Sequence, residues 1–191
     1  GNYFSSGETV RDDNWAPTYG FSYAPTDNLS FYAAQSTARN RGSFVDTSDS
    51  DILNPGEFLP GTKLKNTEFG IKTKSNENLS MSIAYFDMTQ PNTLKTYSAA
   101  DPTKYWVSNN GKNRFKGVDF NVDAKLADKW NTFGGFEYLN AKQETTTNKK
   151  FEGLPTHGSV KWSGVWGLEY KPDEDTSFTS RLSYTGTGKF V

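Results

Sequence analysis

Residues 117–126 read Gly-Val-Asp-Phe-Asn-Val-Asp-Ala-Lys-Leu, and their strict alternation indicates the fold class. The apolar members are Val118, Phe120, Val122, Ala124 and Leu126. Successive side chains of a β-strand point to opposite faces, so a strand would gather the intervening charges on one face, whereas a helix would scatter them. The stretch therefore predicts a strand with one apolar face and one charged face.

The same period of two recurs along the chain and predicts eight strands. They lie at roughly 17–24, 29–38, 66–73, 79–92, 113–126, 130–143, 158–171 and 176–188. Phe86 and Val165 are the two clear apolar exceptions on otherwise polar faces. No segment has the pattern of a long amphipathic helix.

Short turns alternate with long polar loops between these strands. The tight connections, at 25–28, 74–78, 127–129 and 172–175, are built from turn-forming residues. The long connections are 39–65, 93–112 and 144–157. Outer-membrane barrels sort their connections in this way, with tight turns on the periplasmic side and long loops outside. The pattern predicts an all-β, antiparallel up-and-down transmembrane β-barrel.

The composition agrees with a β-barrel that has a hydrated interior, and it argues against several other classes of protein. Only 34% of residues are hydrophobic although 15% are aromatic, while a soluble core would need more aliphatic side chains. A net charge of -1 argues against nucleic-acid binding. With no cysteine and one histidine, we expect no protein-bound metal, no cofactor and no enzymatic activity. The predicted polar face carries eight charges, which require a hydrated interior: Glu68, Lys72, Asp119, Asp123, Lys125, Lys161, Glu169 and Arg181.

Five segments, in order, resemble TonB-dependent outer-membrane receptors of the siderophore-receptor type. Residues 60–72 are similar to the family's "Pro … Glu-x-Gly-x-Lys" strand, and 79–88 to its "Leu-Ser … Ala-x-Phe-Asp-Ile" strand. Residues 116–120 resemble "Arg-Gly-Val-Glu", with Lys116 and Asp119 as substitutions. The remaining segments are 130–142, similar to "Trp-Asn … Gly-x-x-Tyr … Ala-Lys", and 154–157, similar to "Val-Pro-x-His".

The resemblance implies a 22-stranded barrel plugged by an N-terminal domain in the outer membrane of a Gram-negative bacterium. Residues 1–191 would then be an interior part of the barrel, about eight strands long, with the plug domain and the TonB box outside it. The implied function is TonB-energised uptake of a metal chelate such as a ferric siderophore. The implied partners are that chelate, the receptor's own plug, TonB and membrane lipid or lipopolysaccharide, and nucleic acid is not among them.

Two long loops hold the candidate ligand-binding residues. Arg39, Arg41 and Phe44 in the first combine cations with an aromatic ring, which suits the anionic oxygens of a ferric chelate. Tyr97, Tyr105 and Trp106 in the second could cover its rings. Loop solvation or an aromatic girdle would explain the same residues. No residue pattern indicates a catalytic or metal site.

Two alternatives remain open from the sequence. A small closed eight-stranded outer-membrane barrel, acting as an adhesin or structural anchor, has the same strand count. A soluble extracellular ligand-binding β-domain would use its surface aromatics as binding platforms. The sequence does not identify the cargo of the transporter.

Overall fold

An antiparallel sheet of eight strands dominates the computed structural model, which describes residues 15–75 and 78–187. Its strands are β1 (Thr18–Thr26), β2 (Leu29–Asn40), β5 (Thr62–Ser75), β6 (Leu79–Tyr97), β7 (Tyr105–Ala127), β8 (Trp130–Thr145), β9 (Trp162–Tyr170) and β10 (Phe178–Thr185). Two short strands, β3 (Ser43–Phe44) and β4 (Phe58–Leu59), pair within the β2–β5 connection. A 3₁₀ turn covers Lys149–Phe151, and the described chain has no helix long and apolar enough to cross a membrane.

Each long strand pairs with the long strands before and after it in the chain, giving the order β1-β2-β5-β6-β7-β8-β9-β10. Two-residue turns at 27–28 and 128–129 join β1 to β2 and β7 to β8. Within residues 15–75 and 78–187, β1 and β10 form the two edges of the sheet and do not pair with each other. The sheet is therefore an open section of wall, which does not support the closed eight-stranded alternative.

The strand register separates an apolar face from a polar one, because directly paired residues of antiparallel strands share a face. One row crosses the sheet through Phe31, Ile71, Ile83, Phe120 and Phe136. The adjacent row on the opposite face consists of Tyr32, Gly70, Ala84, Asp119 and Glu137. We call these the outer face and the inner face. The two-faced strands predicted from the alternation are confirmed.

This wall has almost no buried core. In the described part of the chain no large side chain is fully buried, and the buried hydrophobic residues are Val45, Ala84, Tyr105 and Ala141. On the outer face Phe21 is 68% exposed and Trp166 is 54% exposed. An apolar face this large needs cover, and no second layer of the described protein provides it. A soluble β-domain would have such a layer, so that alternative is not supported either.

Three inner-face glycines lie beneath aromatic rings of the neighbouring strand. The register pairs Tyr32 with Gly70, Phe86 with Gly117, and Phe133 with Gly167. A Cβ atom built on any of the three glycines would overlap the partner ring. Phe86, an exception to the predicted polar face, is therefore explained by packing over Gly117, an arrangement in which a ring fills the space that glycine leaves.

The main corrections concern the ends of the strands next to the long connections. The loop predicted at 93–112 is wrong over most of its length, because β6 continues to Tyr97 and β7 begins at Tyr105. Beyond the apolar band both faces of a strand are polar, so the alternation disappears although the ladder continues. β9 begins at Trp162 rather than at 158, after Gly158 adopts a positive φ of 71°. The predicted end of the last strand, 188, lies outside the described residues.

Candidate ligand-binding site

The 41–61 connection is ordered because it is docked on the extension of β7. The backbone N–H of Leu53 donates to the Tyr105 carbonyl at 2.8 Å, and that of Tyr105 donates to the Asp51 carbonyl at 3.0 Å. The Asn54 side chain accepts from the backbone N–H of Val107 and donates to its carbonyl, both at 2.9 Å. The side-chain amide of Asn54 thus replaces a strand partner, and the loop is held as part of the sheet.

Tyr105 is the anchor of this docking. Its ring is 7% exposed, and its hydroxyl donates to Asp49 Oδ2 at 2.7 Å. Lys95 Nζ donates to the same hydroxyl at 3.0 Å and lies 4.1 Å from the centre of the ring. The Tyr97 ring packs against it at 5.6 Å between centroids. Tyr105 therefore has a structural role here, and its contact with a ligand stays a prediction.

The acidic partner of Tyr105 is stabilised as a carboxylate. The hydrogen bond from Tyr105, helped by the backbone N–H of Asp51 and by the Lys95 cation, holds the pKa of Asp49 below its ordinary value of 3.8. A lowered folded-state pKa contributes stability above the ordinary pKa, and that contribution is lost as the pH falls through the lowered value. The contact is therefore fully present at neutral and mildly acidic pH.

Replacing Tyr105 with phenylalanine should loosen the 41–61 connection without unfolding the sheet. The substitution keeps the buried ring but leaves Asp49 without its hydroxyl donor. We expect amide hydrogen exchange at Leu53 to accelerate roughly fivefold to tenfold in the full-length receptor, since local opening becomes easier. Tyr97→Phe is the matched control, because the exposed Tyr97 contributes its ring to the packing. Equal exchange in the two variants would contradict the anchoring role.

The third long connection folds back onto β8. Gly153 N–H donates to the Gln143 carbonyl at 2.8 Å, and Gln143 N–H donates to the Leu154 carbonyl at 3.0 Å. The Thr147 hydroxyl donates to the Lys95 carbonyl at 3.0 Å, so this segment also touches the β6–β7 hairpin. All three long connections thus meet at one end of the sheet, in an arrangement held by backbone and side-chain hydrogen bonds.

The six predicted ligand-binding residues differ in their exposure and in their position in the structure. Phe44 is 66% exposed, Tyr97 56% and Trp106 45%, and Arg41 is also exposed at the loop end. Arg39 is half-buried in β2, and its register with Lys63 places it on the outer face. These placements leave the ligand-binding role of all six residues a prediction.

Sequence reasoning missed several residues that shape this end. Phe58 packs its ring against Phe44, with 5.2 Å between centroids, and Asp49, Asn54 and Lys95 hold the loops. The only available signal was the apolar pair Phe58-Leu59 before Pro60, which is too short for a periodic pattern. The polar contacts join residues ten or more positions apart, and no local pattern reveals them.

Comparison with known proteins identifies the family to which this sheet belongs. The family model described as "TonB dependent receptor-like, beta-barrel" matches residues 1–191. The chain belongs to the TonB-dependent receptor family. These receptors are β-barrel proteins of the Gram-negative outer membrane, so the outer face of this receptor segment faces lipid and its inner face lines the barrel.

A curated relative and two solved structures are similar to the receptor segment. The protein named "Probable TonB-dependent siderophore receptor PiuA" of Acinetobacter baumannii is 27% identical over 149 residues, which cover 74% of this chain and 19% of that protein. The crystal structure of BauA, the ferric preacinetobactin receptor of A. baumannii, matches with a TM-score of 0.70 at 20% identity, over 89% of this chain and 25% of that one. The ferric-catecholate import receptor Fiu of E. coli K12 gives 0.66 at 18% identity, over 88% and 24%.

The segment thus spans about a fifth of the curated relative's length and about a quarter of each structural neighbour. The neighbours confirm the fold class, an antiparallel wall of eight strands that forms part of a larger barrel. The family consists of receptors and transporters rather than enzymes.

Proposed function

We propose that this segment forms part of the wall and of the ligand-binding loops of a receptor that imports a metal chelate, a ferric siderophore being the class that fits best. The observation that carries the proposal is the loop end of the sheet, where the 41–61 connection exposes Arg41 and Phe44 and the ends of β6 and β7 expose Tyr97 and Trp106. The names of PiuA and Fiu, a siderophore receptor and a ferric-catecholate import receptor, support the same class of ligand.

The chemistry of these side chains suits a ferric chelate. The guanidinium of Arg41 offers several donors to anionic catecholate, hydroxamate or carboxylate oxygens. The rings of Phe44 and Trp106 cover the apolar rim of such a ligand, and the Phe44 ring, which already packs against Phe58, loses little freedom on binding. Passage would then follow the polar inner face, with the plug and TonB as partners of the complete receptor, and no covalent bond is made or broken.

Replacing Trp106 with alanine should weaken binding of the cognate ferric chelate roughly tenfold, because an exposed aromatic anchor is removed. Isothermal titration of the full-length receptor against catecholate, hydroxamate and carboxylate chelates of iron would measure this and identify the cargo. Trp130→Ala is the matched control, since Trp130 is 40% exposed at the opposite, short-turn end of the sheet. Equal affinities in the two variants would remove Trp106 from the binding site.

Uptake tests the proposed activity itself. Cells whose sole iron-chelate receptor is the complete protein should accumulate radioactive iron from the cognate chelate only while TonB is present. Accumulation at the same rate without TonB, or no binding of any ferric chelate, would refute the proposed function.

A further inference from the structure

The inner face changes character towards the loop end of the sheet. Its middle row carries the carboxylates Asp119 and Glu137. Two rows nearer the loops carry no charged side chain. The first consists of Ser36, Asn66, Met88, Phe115 and Ala141, and the second of Ala38, Leu64, Gln90, Asn113 and Gln143. We call the residues of these two rows the neutral tier.

The same strand segments carry charges on their outer face. Lys65, Asp87, Arg114 and Lys142 alternate with members of the neutral tier, so their side chains point to the opposite side of the sheet. The lack of charge is therefore specific to the inner face. Charged side chains are readily accommodated in a hydrated barrel interior. Hydration alone thus does not explain why the neutral tier has none.

The neutral tier combines an apolar patch with side-chain amides. Met88 and Phe115 pair directly across β6 and β7 and are half-buried. Gln90 and Asn113 form the next inner-face pair of the same two strands. Each amide is an uncharged group that both donates and accepts hydrogen bonds. Such a lining suits a ligand that offers apolar surface and polar groups but no net charge.

The neutral tier lies next to the 41–61 connection. Ala38 in β2 and Leu64 in β5 are two residues from Asn40 and Thr62, where this connection leaves and rejoins the sheet. Its docking on Tyr105 carries the connection across to β7. At about 3.3 Å per residue, the tier begins within roughly 10 Å of the connection. A ligand bound by the loops therefore lies close to the tier.

The 41–61 connection itself has an excess of negative charge. Its single cation is Arg41, and its carboxylates are those of Asp46, Asp49, Asp51 and Glu57. One cation against four carboxylates leaves three negative charges in excess. The field of this connection repels a strongly anionic ligand, and the neutral tier below it supplies no cation to offset the repulsion.

We propose that the chelate bound by this receptor has no net negative charge, a ferric tris-hydroxamate being the class that fits, and that the neutral tier contacts it beneath the loops. Three hydroxamate groups together balance the charge of the ferric ion, whereas three catecholate groups leave a strongly anionic complex. The one guanidinium of Arg41 is then sufficient for the partly negative oxygens of a neutral chelate. The inference rests on the proposed import function and narrows its cargo.

The inference separates this receptor from one of its structural neighbours. Fiu, named as a ferric-catecholate import receptor, shares the fold of this segment at low sequence identity. A shared fold does not carry over the charge of the cargo, which is set by the residues of each binding site. The neutral tier and the carboxylates of the 41–61 connection are features of this chain, and they favour a different class of chelate.

Isothermal titration of the full-length receptor tests the proposal with matched pairs of probes, a ferric tris-hydroxamate and a ferric tris-catecholate built on the same backbone. We expect the tris-hydroxamate to bind at least about tenfold more tightly. Its affinity should change less than about twofold between low and physiological salt, because a neutral ligand is little affected by screening. Tighter binding of the tris-catecholate would overturn the inference while leaving chelate import intact. If no ferric chelate of either class bound, the proposed function itself would fail.

Gln90→Lys tests the contact of the neutral tier with the cargo. A cation at this position should raise the affinity for the tris-catecholate, relative to that for the tris-hydroxamate, roughly tenfold. The matched control is Thr89→Lys, which places the same charge one residue away on the outer face and should change this ratio less than about twofold. Equal ratios in the two variants would overturn the contact. If Gln90→Lys failed to fold, as judged by heat-modifiable mobility, the two probes on the wild-type receptor would still decide the class of chelate.

Discussion

Replacing Phe120 with lysine should destabilise the folded receptor by about 2–4 kcal/mol, whereas Asn121→Lys, one residue away, should change stability by less than about 0.5 kcal/mol. Phe120 lies in the middle of the apolar row on the outer face and is 39% exposed in the isolated wall. Lysine there would meet hydrocarbon near the bilayer midplane. Asn121 pairs with Ser82 and Gly135 on the inner face, where a new cation meets water.

Urea unfolding of the full-length receptor in lipid vesicles measures both effects. Phe120→Leu is the additional control, because it removes the ring while keeping the position apolar, and it separates loss of packing from the cost of a charge in lipid. The assignment of faces depends on the ranking. If Asn121→Lys were the more damaging substitution, the assignment of the outer and inner faces would have to be exchanged.

The fold was predictable because a membrane wall imposes a local pattern. Each side chain of residues 117–126 faces either lipid or water, so the alternation alone assigns the strand and its two faces. The prediction failed where that constraint ends. Outside the lipid band, β6 continues as far as Tyr97 and β7 begins as early as Tyr105. Both faces of these strands contact water there, so any polar residue is acceptable. Hydrogen bonding between strands, rather than hydrophobicity, sets those boundaries.

The candidate site was less predictable, since its order arises from distant contacts. Residue type alone singled out Tyr105, yet its hydroxyl contacts Asp49, 56 positions away, and Asn54 reaches Val107 over 53 positions. These partners have no period or spacing that marks them. The row of Lys65, Arg114 and Lys142 on the outer face was missed for a related reason, because these residues share a row only through the register of four strands.

Gly117→Val should destabilise the full-length receptor by about 1–3 kcal/mol. The Phe86 ring occupies the space above Gly117, and a Cβ atom there would also approach the Tyr138 carbonyl oxygen at 2.5 Å. The ring has to leave its position, or the ladder between β7 and β8 has to separate locally. Gly20→Val is the matched control, since a Cβ atom on Gly20 meets nothing within 4 Å and a β-branched residue suits a strand. Urea unfolding in lipid vesicles should show a loss for Gly117→Val alone.

A double-mutant cycle tests whether the ring is the cause of that loss. Phe86→Ala empties the space, so Gly117→Val should be less damaging in the Phe86→Ala background than in the wild type, by about 0.5–2 kcal/mol. Recovery should be partial, because the Tyr138 carbonyl belongs to the backbone and stays close to the new side chain. Strict additivity of the two substitutions would show that Phe86 does not fill the space above Gly117. A measured coupling would instead establish that the Phe86 ring, packed on a glycine of the next strand, stabilises a sheet whose described residues include no fully buried large side chain.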